Sequence, residues 1–131
     1  MSYLMTETER NGALNLNAEY RYDLFVSKVF QHGLMWTLKG PDGLLFLAAD
    51  EEEHCLPVWP HEDFAKMWAN GEFEGYEPQS ITLDIWQNRW VDGLTQDQIS
   101  LAVFPLEDQE NLIVDAVELN EAFLKKQNPE K

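Results

Sequence analysis

Two prolines set the course of the chain between Leu56 and Trp68, and this stretch constrains the fold more than any other. Leu56-Pro57-Val58-Trp59-Pro60-His61 runs into Glu62-Asp63-Phe64-Ala65-Lys66-Met67-Trp68. It thereby gathers two of the five tryptophans, two of the six prolines and one of the three histidines. A proline fixes its own φ and donates no backbone hydrogen bond, so covalent geometry dictates direction here. A strand pattern gives way to a helix pattern within the same stretch. Such a corner either organises a small core or forms a rigid rim for a ligand, and the two readings predict opposite exposure for Trp59 and His61.

The chain has 131 residues, close to the usual size of one domain. A hydrophobic fraction of 44% and an aromatic fraction of 12% supply enough apolar surface for one core. The reading is a polar leader over residues 1–16, one α+β domain over 17–127 and a short tail over 128–131. The first ten residues lack the basic start and apolar stretch of a signal peptide. No apolar run approaches the length of a membrane span. Cys55 is the single cysteine, so no internal disulfide can form, as expected in a reducing cytoplasm.

Nine Lys and Arg stand against 24 Asp and Glu, a formal charge of −15. Phosphate-rich partners are repelled by such a field, which argues against nucleic acid and anionic membranes. A basic protein would be steered toward it. Solubility alone is the plainer explanation of the same charge.

Periodicity and caps give the element order α-β-β-β-α-α-β-β-α, with about five strands in a mostly antiparallel sheet and four helices. Asn17 caps a first helix that runs to about His32 and stops at Gly33. Leu34–Leu38 and Leu44–Ala48 flank a Gly-Pro-Asp-Gly turn and read as a hairpin. A third strand covers His54–Val58, where Pro57 suggests an edge or a strand end. The second helix opens at Pro60 or His61, points Phe64, Met67 and Trp68 inward and stops at Asn70-Gly71. Residues 72–81 read as a loop. Thr82 caps a third helix to about Asp92, with Gly93 beyond it and Leu83, Trp86 and Trp90 on one face. Ile99–Pro105 and Leu112–Val114 read as paired strands, and Asp115 with Glu118 starts a last helix.

Chemistry-bearing patterns are sparse. Cys55 and His54 are neighbours on a strand and so point to opposite faces, which argues against a nucleophile–base pair. His54, Cys55 and His61 lack zinc-ligand spacing, and the run Asp50-Glu51-Glu52-Glu53 lacks the alternation of a calcium loop. That acidic run reads most simply as a solvated connection. No phosphate loop, metal site or cofactor motif is read, and covalent catalysis is not expected. The candidate binding set is therefore Trp59, His61 and Trp36, together with Asp50, Glu51, Glu52 and Glu53. His61 has a plain alternative role as a satisfied polar residue at a helix start.

Several blocks carry a resemblance. They are Arg21-Tyr22-Asp23-Leu24-Phe25, Trp36-Thr37-Leu38, the Gly43 turn, Leu56-Pro57-Val58-Trp59-Pro60-His61, the Gly71-Glu72 helix stop, Ile99-Ser100-Leu101-Ala102-Val103-Phe104-Pro105 and Val114-Asp115. Together they resemble the bacterial family catalogued as domain of unknown function 2750, over about residues 17–124. The resemblance implies a stand-alone bacterial cytoplasmic domain and transfers no activity, cofactor or site residue.

Three functions follow as expectations. The first is a non-enzymatic module for a basic protein partner, for example an immunity protein against a cationic nuclease toxin. The second is a small-molecule or enzymatic site with Trp59 and His61 on its wall. The third is a structural role in which aromatics pack across a homodimer interface.

Overall fold

The computed structural model describes residues 6–41, 43–48, 54–69, 75–106 and 112–127. Among them the elements are α1 (Glu7–Leu14), α2 (Ala18–His32), β1 (Leu34–Gly40), β2 (Gly43–Leu44), β3 (Leu47–Ala48), β4 (His54–Val58), α3 (Glu62–Trp68) and β5 (Glu77–Thr82). A helical segment of three parts follows: α4 (Leu83–Ile85), a π turn (Trp86–Trp90) and α5 (Val91–Gln96). β6 (Ser100–Val103), β7 (Leu112–Val114) and α6 (Ala116–Gln127) complete the described chain. The α+β class stands, while the element count and order differ from the sequence reading.

The strands form two sheets, β2-β1-β5 and β3-β4-β6-β7. Every pairing is antiparallel except β4 with β6, which is parallel and aligns Cys55 with Ser100 and Val58 with Val103. One antiparallel bridge, Trp36 to Trp59, joins the sheets. Trp36 N donates to the Trp59 carbonyl (2.9 Å) and Trp59 N donates to the Trp36 carbonyl (2.7 Å). The chain therefore leaves β4 and crosses to β1 within the proline-framed block.

Caps behave as expected where short-range chemistry decides. Asn17 Oδ1 accepts from Tyr20 N (2.9 Å), and Gly33 adopts φ 73 with its N–H on the Val29 carbonyl (2.7 Å). Thr82 Oγ1 accepts from Ile85 N (3.2 Å) and Asp115 Oδ1 from Glu118 N (2.7 Å). The three side-chain caps each satisfy an amide that the first helical turn leaves unpaired, while Gly33 N–H satisfies a carbonyl of the last turn.

Several expectations are corrected. Residues 6–16, read as part of a loose leader, hold α1, capped by Thr6 and anchored by buried Ala13. The predicted strand Leu44–Ala48 splits, its first part pairing with β1 and its second with β4. The supposed loop 72–81 contains part of β5, whose residues Glu77–Thr82 pair along β1 from Lys39 to Leu34. Its polar, Pro78-containing sequence hides a strand because β5 lies at a sheet edge, where one side needs no ladder partner. Met67 is 45% exposed, and Ala65 takes the inward position beside Phe64.

The helix after Thr82 runs through Gly93, because the π turn adds a residue to one coil. Val91 and Leu94 join Leu83 and Trp86 inside, while Trp90 is left partly buried against the edge of the core. The helix ends instead at Asp97-Gln98. Gln98 N donates to the Thr95 carbonyl (3.2 Å), and Ile99 N donates to that of Leu94 (2.9 Å). Gln98 thus occupies the left-handed position (φ 58) of a helix stop that glycine usually fills.

Pro57 sits in an inner strand of its sheet, but pairing with β3 extends only to Cys55. Its carbonyl accepts from Thr37 Oγ1 (2.7 Å), a second tie between the sheets. The core lies under this junction and holds Phe25, Val29, Met35, Leu38, Leu56, Leu101, Leu119 and Phe123, all with essentially no exposed surface.

Candidate functional site

Two places compete for the role of a site: the proline-framed corner and an open cleft. In the corner, Trp59 is 0% and His61 4% exposed. Trp59 Nε1 donates to the Pro105 carbonyl (3.0 Å), and its ring lies 5.9 Å from that of Trp68. His61 is the N-cap of α3, with Nδ1 accepting from Asp63 N (3.1 Å). The expectation that these two side chains face a ligand is corrected: their polar atoms serve the fold and they offer almost no surface. Trp36 is half-buried beside them. No peptide bond among the described residues is cis, so Trp59–Pro60 is trans.

A buried arginine that patterning did not reveal completes the corner. Arg21 is 1% exposed on α2; its Nε donates to the Phe104 carbonyl (3.1 Å) and its Nη1 to that of Leu16 (2.7 Å). Burial pushes its pKa below the ordinary value. The guanidinium keeps its proton even so, and a buried charge needs such polar partners. Phe104 itself has φ 52, a strained setting for an aromatic residue that costs about 1–3 kcal/mol. Its N–H donates to the Val58 carbonyl (2.7 Å), and its ring packs 4.6 Å from Phe64. The strain is held by Arg21 on one side, Phe64 on another and Trp59 through the next residue. Leu-Pro-Val-Trp-Pro and Val-Phe-Pro, distant in sequence, are two halves of one joint.

The cleft lies at the N-terminal ends of the parallel strands β4 and β6 and encloses about 800 Å³. His54 begins β4 and Ser100 begins β6, while Asp97 and Gln98 come from the end of α5. Asp115 and Val117 come from the start of α6, and Phe46 closes one wall. The polar groups are exposed or half-buried, and Phe46 and Val117 are exposed apolar contacts beside them. Such a surface offers two carboxylates, an imidazole and an aromatic face, a combination suited to a basic side chain.

The acidic run Asp50, Glu51, Glu52 and Glu53 lies outside the described residues. It directly precedes His54 in the chain. Cys55 is buried, its Sγ 3.6 Å from the Leu47 carbonyl. Among the described residues no group of three His, Cys, Asp or Glu is arranged to hold a metal ion. No described helix is long and apolar enough to cross a membrane.

Fold and joint together define a small α+β domain built around two interlocked proline corners. The chain belongs to the family described as Protein of unknown function (DUF2750), whose model matches residues 22–123. No curated protein matches the chain. The match includes both proline blocks and most of the cleft, whereas α1 lies outside it. The resemblance read from the sequence is thereby established, and its most specific pieces are the two halves of a structural joint.

Proposed function

We propose that this protein is a non-enzymatic binding module whose open cleft receives a basic segment of a protein partner. The observation that carries the reading is the cleft's composition: Asp97 and Asp115 beside His54 and the exposed ring of Phe46, in a chain of net charge −15. A field of that sign accelerates encounter with a cation, and the carboxylates then pair with lysine or arginine at short range. An immunity protein that neutralises a cationic nuclease toxin is one form this function takes.

The test is affinity capture from the host lysate with the native chain and the double variant Asp97→Asn/Asp115→Asn. The reading expects one basic protein to be retained at low salt, released as salt rises and retained poorly by the double variant. Asn still caps a helix, so the variant removes charge at position 115 without removing the cap. Retention of a partner equally well by both chains and at all salt concentrations overturns it, as does recovery of no basic protein.

A further inference from the structure

A second concavity, of about 410 Å³, lies between α1, α2 and the proline corner. Its floor is apolar, made by Leu16, Leu24, Pro60 and Phe64 with buried Ala13. Its lining also holds one acid, Glu9 on α1, and one base, Lys28 on α2. The volume lies within the range of small-molecule sites, and a few polar groups over an apolar floor is their usual make-up.

We propose that this cavity binds a free α-amino acid with a branched or aromatic side chain. The apolar side chain would rest on Leu24, Pro60 and Phe64, the carboxylate would face Lys28 and the ammonium Glu9. A zwitterion matches both charges of the lining. It also carries no net charge, so the field of a chain at −15 does not repel it, as it repels a fatty acid. The wall is built to admit a guest. α1 forms one side of the cavity through Glu9, Gly12 and Ala13, and is held in place by buried Ala13 and by Leu14, which packs against the core. Gly12 also lines the cavity, and a Cβ added there would meet nothing within 4 Å. Space that a side chain could fill is left open at a helical position where glycine costs about 1 kcal/mol relative to alanine.

The experiment is a backbone-amide NMR titration of the full chain with L-leucine, L-phenylalanine, octanoate and 2-phenylethylamine. The expected result is saturable shifts centred on Gly12, Leu24, Lys28 and Phe64 with one or both amino acids. Octanoate and the amine should bind roughly tenfold more weakly, each lacking one charge-assisted contact. Lys28→Gln should weaken amino-acid binding by a similar factor. Gly12→Leu should abolish it while the amides of Leu101 and Val103 keep their positions, showing that the fold is intact. No saturable shift with either amino acid overturns the proposal. So does binding of octanoate or the amine as tight as that of the amino acids, or binding unaffected by both substitutions.

Discussion

The proline corner and the open cleft are built from opposite materials. The corner concentrates the rarest residues of the chain and satisfies them internally: Trp59 on the Pro105 carbonyl, His61 on Asp63 N, and Arg21 on the carbonyls of Leu16 and Phe104. The cleft is made of ordinary residues, Asp97, Gln98, Ser100 and Asp115 among them, contributed by the ends of helices and strands that converge. A conspicuous motif can be conspicuous because the fold demands it. Three strained or desolvated groups, once buried together, leave little freedom in residue type, whereas an exposed cleft asks only for charge and shape.

Mutations that separate the two regions give this contrast its test. The largest effect is expected from Trp59→Ala, which empties the corner and should cost about 3–5 kcal/mol in urea unfolding, much of the stability of a domain this size. Next comes Arg21→Met, which leaves the Phe104 and Leu16 carbonyls unpaired and should cost about 3 kcal/mol. Arg21→Lys should recover only part of this, because one ammonium cannot reproduce the guanidinium fork. If lysine restored full stability, the two-carbonyl clamp would not be what holds the corner.

A finer comparison sets Trp59→Phe against Trp86→Phe. Both rings are fully buried, but Trp86 Nε1 has no hydrogen-bond partner among the described residues. Removing Nε1 should therefore cost about 1–3 kcal/mol at Trp59 and distinctly less at Trp86. His61→Ala should cost about 1 kcal/mol through loss of the α3 cap, with His61→Asn restoring most of it; equal losses for Ala and Asn would rule out capping as its role.

The smallest effect concerns pH. His32, at the end of α2, has its pKa lowered by desolvation and by the charges of Lys28 and His61. The unfolded chain then binds the proton more readily than the folded one, so stability falls as pH drops through the ordinary histidine value of about 6.5. Melting temperatures measured between neutral and mildly acidic pH should show this decline, and His32→Gln should flatten it.

What could be read from the sequence follows the range of the interactions involved. Asn17, Thr82, Gly33 and the Asp115–Glu118 pair act within one helical turn, so their roles are written in adjacent residues. Arg21 looks like a solvated helix position until Phe104 arrives from far along the chain to bury it. β5 shows no alternation and buries only Ile81, so its pairing with β1 supplies the order its side chains do not. The parallel alignment of β4 with β6, and with it the cleft, depends on how distant segments meet, which no local pattern records. The aromatic content of Trp59 and the position of His61 were visible throughout; their burial was decided by Pro105 and by α3.

The single bridge between Trp36 and Trp59 has a dynamic consequence. Two hydrogen bonds between buried or half-buried tryptophans join sheets that otherwise share no ladder among the described residues. Their amide protons can exchange with solvent only when the sheets part. In native-state hydrogen exchange these two amides should therefore open together, at one shared free energy. That energy measures how far the two halves of the domain behave as one cooperative unit.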